Sequence, residues 1–263
     1  MRLLVAAGGT GGHVYPALAV LEAMLEPKPA EDKPPLLGAK DVFWVGSPQG
    51  FEHDLVDQTR IRFVELAAAG VRGMSAREKA QHTTQILQSV SKAREVVAQF
   101  KPDVIFATGG YASVAVTIAG WLQRVPVLIY LPDIVPGLAI RFLSRFASRV
   151  AVTSEESYQH LNREKVVVTG YPVRSEIFGQ DQVTALQDLG LSLEDKTLLV
   201  FGGSRGARSI NRALVAGLRE LLTSCQIVHI SGRLDSDWVA GAAKSLPESR
   251  QVRYHHYSYL NDM

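Results

Sequence analysis

Cysteine is nearly absent: Cys225 stands alone in 263 residues. It can form no internal disulfide, which excludes the small secreted domains that depend on such staples and fits a reducing cytosol. Its setting in LLTSCQIVHI predicts a buried strand position. No apolar run approaches the roughly 20 residues that a helix needs to cross a bilayer, and no basic leader with a small-residue cleavage site follows Met1. Membrane contact is therefore expected to be peripheral. Neither sign of charge dominates, since 28 Lys and Arg face 26 Asp and Glu for a formal net charge of +2. Nucleic acid is accordingly not an expected partner.

What the chain does have is ordinary globular content, 46% hydrophobic and 21% charged, enough to bury a sizeable core. Short apolar runs such as LLVAA (3–7), VFWVG (42–46), VIFAT (104–108) and VAVTS (150–154) alternate with stretches of helical period such as 76–100. Strand and helix in repetition predict a parallel sheet covered on both faces. The rhythm pauses near GYPVRSEIFG (170–179) and restarts, after a polar helix-like stretch at 181–189, with TLLVFGGSRGARSINRALVAGL (197–218). The expected α/β fold has two Rossmann-like domains with parallel sheets: residues 1–172, a crossing segment 173–195, and residues 196–263. The last of these has room for three strands and two helices, whereas a doubly wound domain takes about 100–150 residues, so it is expected to be incomplete. The proline-rich EPKPAEDKPPLLGAK (26–40) reads as a surface insertion between the first helix and the second strand.

The first strand-to-helix turn, within LVAAGGTGGHVYPALAV (4–20), carries the most chemistry. Its glycines expose backbone N–H groups and the helix start adds partial positive charge, so an anion or a sugar can approach the main chain. Two familiar uses are spelled differently. No Lys-Ser/Thr follows, so this is not a P-loop, and Val14 stands where a dinucleotide fingerprint has its third glycine. A tight turn without a ligand fits the same residues. His13 falls in the first helical turn, where the positive helix end disfavours imidazolium, so a neutral ring able to accept a proton is expected. A histidine that only packs or caps is the plain alternative.

GGTGGHVYPALA closely resembles the opening of the bacterial MurG family, which adds N-acetylglucosamine to lipid I in peptidoglycan synthesis. GVRGM (70–74), KPDVIFATGGYAS (101–113), GYPVR (170–174), GGSRGAR (202–208) and YLNDM (259–263) match in the same order, so the resemblance spans essentially the whole chain. It implies a GT-B glycosyltransferase fold whose cleft holds UDP-N-acetylglucosamine against a membrane-borne acceptor, with no cofactor and no metal. Position by position, it implies that Thr10, Gly11 and Gly12 form the first glycine loop and that His13 takes part in catalysis or acceptor positioning. Gly109, Gly110 and Tyr111 would lie near the acceptor diphosphate. Arg174 would contact the donor, Ser204 its nucleotide, and Leu260 the uracil pocket. The loops at 8–13, 108–111 and 202–207 are also where an open parallel sheet puts ligands. Backbone N–H groups and an arginine can stabilise a departing diphosphate without a metal. Arg174 is equally explicable as a surface or interdomain ion-pair residue.

Two departures from the family pattern matter. The usual His-Glu-Gln-Asn run, followed by three residues and a glycine, reads YLPDIVPG (130–137) here and leaves Asp133 as the loop's single carboxylate. Asp133 is expected either to contact substrate or to form an Asx-type turn beside two prolines. The serine- and glycine-rich loop, glutamate and glutamine that hold the family's donor beyond the YLNDM position have no counterpart. Asp235 and Asp237 have the spacing of metal-dependent transferases of the other fold type, but their place before WVAGAA predicts a helix cap and first turn. In GLAIRFLSRFASR (137–149), Arg141, Arg145 and Arg149 would share one helical face beside Ile140, Leu143 and Phe146. That pattern suits anionic headgroups as well as a solvated outer side.

The leading expectation is an inverting transfer of N-acetylglucosamine from UDP-N-acetylglucosamine to the 4-hydroxyl of an undecaprenyl-diphosphate-linked muramoyl peptide. The enzyme would work peripherally at the cytoplasmic face of the bacterial membrane, beside other cell-wall synthesis proteins. The attacking hydroxyl must lose a proton, and His13 is the first candidate base, Asp133 the second. The rivals are a non-catalytic acceptor-binding or membrane-docking subunit, and a truncated inactive homologue. A nicotinamide oxidoreductase fits the sheet but lacks the third glycine and an acidic residue closing the second strand.

Overall fold

A computed structural model describes residues 1–27, 34–48, 52–57, 59–66, 76–202 and 206–260, without the side chains of 76–84 and 86. The motif GVRGM and residues 28–33 of the proline-rich stretch lie outside the described residues. The chain divides into two compact units, Met1–Phe178 and Gly179–Met263.

The first unit is built on seven parallel strands: β1 (Leu3–Ala7), β2 (Val42–Gly46), β3 (Arg62–Glu65), β4 (Val104–Gly109), β5 (Val127–Leu131), β6 (Arg149–Val152) and β7 (Val166–Val168). They lie in the order β3-β2-β1-β4-β5-β6-β7, so the direction of travel through the sheet reverses between β1 and β4. The alternation of side chains along β1 fills two cores. Leu3, Val5 and Ala7 pack with α1 (Gly11–Leu25) and α2 (Glu52–Asp57) on one face. Leu4 and Ala6 pack with α3 (Ala76–Phe100) and α4 (Tyr111–Leu122) on the other. Burial on both faces is why the strands read as continuous apolar runs. The inner face of α4 is mostly small, with Ala112, Ala115, Ala119 and Gly120 beside Val116, and a side chain at Gly120 would strike Ile105. Small residues there let the helix lie close against the sheet.

The helix expected over 137–149 is shorter. Helix α5 (Leu138–Leu143) stops early because the next residues are drawn into the sheet. Ser148 N–H bonds the Val127 carbonyl at 2.8 Å, and Arg149 is already in β6, opposite Leu128. Arg141 and Arg145 therefore stay together and line one groove with Ser144, His160 and Lys165. Arg149 instead turns its guanidinium to the Ser148 and Glu164 carbonyls.

The second unit runs α6 (Gln182–Asp188), β8 (Thr197–Phe201), α7 (Arg208–Leu221), β9 (Gln226–Ile230), α8 (Ser236–Lys244), α9 (Glu248–Gln251) and β10 (Tyr254–Tyr257). Its parallel strands lie in the order β10-β9-β8, repeating the β3-β2-β1 half of the first sheet. Leu214, Leu218, Ile227, Val239 and Tyr254 form its core. Cys225 is not the buried strand residue expected from its neighbours. It belongs to the turn that ends α7, where its N–H and its thiol both meet the Leu221 carbonyl, at 3.1 and 3.3 Å.

Candidate active site

The strand order sets the loops after β1 and β4 side by side, at the point where open parallel sheets bind ligands. These two loops interlock through atoms that are not there. Gly109 has φ +133° and Gly110 φ +83°. A Cβ on Gly110 would overlap the Gly8 carbonyl, and one on Gly109 would overlap the His13 imidazole. Ser113, one turn into α4, fastens the crossing: its hydroxyl bonds the Ala6 carbonyl at 2.6 Å and accepts the Gly109 N–H at 3.2 Å.

His13 is the third residue of α1, and its main-chain carbonyl accepts from the Thr108 hydroxyl at 2.6 Å. Thr10 is the extended N-cap residue, and its side chain makes no capping bond. The N–H groups of Gly11 and Gly12 have no helical carbonyl to bond, and Gly12 is exposed. Nδ1 of His13 is enclosed with no hydrogen-bond partner among the described residues. Burial is the main influence on the ring and lowers its pKa, while the Thr108 backbone carbonyl and the charge of Asp133 raise it. A neutral imidazole is thus what the sequence predicted, but desolvation is the leading cause.

Asp133 is exposed on the loop after β5, and its charge acts on His13, Tyr130 and Tyr171 alike. Tyr130 was not singled out from the sequence. It is 2% exposed, and its hydroxyl is enclosed without a partner among the described residues. Burial pushes that hydroxyl's pKa up, and its ring meets Tyr171 edge-on at 6.2 Å. Tyr111, at the start of α4, is 53% exposed beside the second glycine loop. Arg174 lies with its guanidinium 4.8 Å over the Tyr15 ring on α1 and pairs with Glu176 at 3.4 Å. The next residue's N–H donates to Glu22 at 3.2 Å, so this arginine is held beside the helix that carries His13.

A second residue that sequence reasoning missed is Glu52, wholly buried at the start of α2. Its carboxyl accepts the Ser47 N–H at 2.8 Å and the Gly9 N–H at 3.4 Å, and a Cβ on Gly8 would collide with it. Glu52 therefore backs the first glycine loop from beneath. In the sequence it is one acidic residue in a short polar helix, with no signal that its partners are main-chain groups.

In the second unit, Ser204 lies outside the described residues. The described end of its loop includes Gly206, at φ +76°, where a Cβ would overlap the Ser231 carbonyl. Leu260 is half-buried just beyond β10, next to Tyr259, whose ring lies 5.1 Å beneath Arg233. Asp235 stands at the N-cap position of α8, as expected, but its side chain makes no capping bond. It is 3% exposed and receives Arg208 and Asn211 instead, at 2.7 and 2.9 Å. The Arg208 hydrogen bond is the main reason its pKa falls to about 2.

Two parallel sheets, each opening on strand, glycine loop and helix, are the plan of the GT-B glycosyltransferase class. Residues 3–152, more than half of the chain, match the model of the glycosyltransferase family 28 N-terminal domain, and the chain belongs to that family. It is 38% identical to a UDP-N-acetylglucosamine–N-acetylmuramyl-(pentapeptide) pyrophosphoryl-undecaprenol N-acetylglucosamine transferase of Roseiflexus sp. (strain RS-1), over 99% of this chain and 66% of the relative. The protein of the same name from Thermodesulfovibrio yellowstonii is 34% identical over 94% of the chain and 66% of its own length. The chain thus spans 66% of the length of these curated relatives. Among solved structures, MurG of Acinetobacter baumannii matches with a TM-score of 0.67 at 24% identity, over 99% of this chain and 69% of that one. A UDP-GlcNAc 2-epimerase of Neisseria meningitidis bound to UDP-GlcNAc matches with 0.63 at 17% identity, over 99% and 73%. These two likenesses speak for the fold alone. The family and the fold expected from the motifs are borne out.

Proposed function

We propose that the chain transfers N-acetylglucosamine from UDP-N-acetylglucosamine to the 4-hydroxyl of the muramoyl sugar of lipid I, with inversion. The names of its relatives supply the substrates. The observation that carries the mechanism is a half-buried imidazole of lowered pKa at the sheet's switch point, wedged against Gly109 and within the field of Asp133. As the acceptor oxygen bonds to the anomeric carbon, its proton passes to neutral His13, and the bond from that carbon to the diphosphate oxygen breaks with its electron pair. The nearby charge of Asp133 favours the imidazolium that forms. The loop at 202–207 and the start of α7 receive the donor diphosphate. The bond inventory requires no cofactor.

The acceptor is a membrane lipid, and the first unit offers a surface for it. Leu138 is 87% exposed, Val135 64%, Trp121 50% and Phe142 48%, beside Arg141 and Arg145. Apolar side chains edged by arginines suit peripheral contact with anionic headgroups. No helix among the described residues is long and apolar enough to cross a membrane.

The test is transfer of labelled sugar to a short-chain lipid I analogue by the parent and by His13→Ala. Loss of roughly 10²- to 10⁴-fold in rate is expected for removal of a general base. Unchanged turnover removes His13 from the chemistry. A parent that binds the acceptor but has no affinity for UDP would instead make this chain an acceptor-binding module.

A further inference from the structure

Behind the loop that follows β8 runs a chain of buried polar groups that the reaction above does not use. Asn211, His229 and Ser231 are wholly buried, and Asp235 nearly so. The Asn211 side-chain N–H₂ donates to the Ser231 carbonyl at 2.8 Å and to the Asp235 carboxylate at 2.9 Å. Both partners only accept, so the amide has one orientation and its Oδ1 faces His229 Nε2 at 3.0 Å. That nitrogen must carry the proton, which leaves Nδ1 to accept the Tyr254 hydroxyl at 2.6 Å. His229 is thereby confined to one neutral tautomer.

The far end of the same chain reaches the loop. Asp235 holds Arg208, the first residue of α7, through Nε at 2.9 Å and through a terminal N–H at 2.7 Å. The Ser231 carbonyl, which Asn211 fixes, is the atom against which Gly206 packs. Both described residues that flank the loop's C-terminal end therefore rest on groups whose position Asn211 decides. A core leucine at 229 would fill similar space without polar atoms, so the polar chain carries a desolvation cost that its hydrogen bonds must offset.

We propose that His229 and Asn211 are positioning residues for Gly206 and Arg208: they touch no substrate, but set the Gly206 main chain and the arginine in register for a nucleoside diphosphate. This rests on the reading that the loop receives the donor diphosphate. Burial, aided by the neighbouring His256, lowers the His229 pKa to about 4, which keeps the ring neutral at cytosolic pH.

The experiment compares His229→Leu, which fills the volume without polar atoms, with His229→Gln, which can offer an N–H and a carbonyl oxygen in the two required places. Hydrogen exchange is followed along the whole chain, and UDP affinity is measured by calorimetry. In His229→Leu, amides of 202–212 are expected to exchange about tenfold faster, with UDP affinity lower by about the same factor, the scale of one buried hydrogen bond. His229→Gln should recover most of both, with the strands β8 and β10 unchanged in either variant. Exchange that rises evenly over the second unit, a loop that does not respond, or a Gln variant as damaged as the Leu variant overturns the proposal. A parent without UDP affinity overturns the donor reading alone, because the exchange pattern still decides the positioning role. If His229→Leu does not fold, Tyr254→Phe, which deletes only the hydroxyl on Nδ1, gives the same readout.

Discussion

The imidazole of His13 occupies the space that a side chain at residue 109 would need. The first glycine loop and the second are thus fitted to each other. Gly109→Ala must push the ring aside and adopt a φ of +133° that only glycine takes readily. The expected result is a fold weakened by about 1–3 kcal/mol and transfer lost to the extent seen for His13→Ala. Chemical denaturation and turnover of the purified variant check the two halves separately.

Glu52 is the support beneath that fit. Glu52→Gln keeps the shape but turns one of its two acceptor atoms into a donor that faces a main-chain N–H. An unsatisfied buried donor costs about 1–3 kcal/mol, and because one of the affected N–H groups belongs to Gly9, acceptor affinity should fall along with stability. Binding of a lipid I analogue to a variant still folded at the assay temperature is the measurement. Unaltered binding would make Glu52 a purely structural group.

The short α5 changes which arginines can serve a membrane. Arg141→Ala with Arg145→Ala should weaken binding to vesicles rich in anionic lipid by about 1 kcal/mol for each charge. Arg149→Ala should leave binding unchanged, because that side chain is turned to the carbonyls of Ser148 and Glu164. Sedimentation with vesicles at two salt concentrations distinguishes these outcomes, since the arginine contribution is screened.

Stability should depend on pH through one buried and two half-buried histidines. His13, His229 and His256 all have pKa values lowered in the fold, chiefly by burial. Between the ordinary value of 6.5 and the folded value, the unfolded chain binds more protons, so stability is complete above pH 6.5 and falls with pH, for His229 down to about 4. Asp235, lowered from 3.8 to about 2, acts only below that window. The melting temperature of the parent should decline from pH 6.5 to 4, and that of His229→Gln less steeply.

Much of the fold was legible because its signals are local. LLVAA, VFWVG and VIFAT are strands by composition and length, and the helix over 76–100 shows its period of 3.6 directly. The glycine turn before His13 declares a close approach of backbone. Where local signals failed, a neighbour distant in sequence had intervened. GLAIRFLSRFASR has a helical arginine period, yet pairing of Arg149 with Leu128 takes its end into the sheet. Asp235 looks like a helix cap, but Arg208 and Asn211 outcompete the helix N–H groups for its carboxylate.

The sequence by itself determined the alternation of strands and helices, the two glycine-loop openings, the family, and His13 as the residue to watch, because these follow from residue type and spacing along the chain. Only the tertiary structure decided that Gly109 makes room for His13, that Glu52 holds Gly9, and that His229 reaches Arg208 through Asn211 and Asp235. Each of these depends on burial and on hydrogen-bond direction between groups far apart in the chain. Spacing along a sequence carries no record of either.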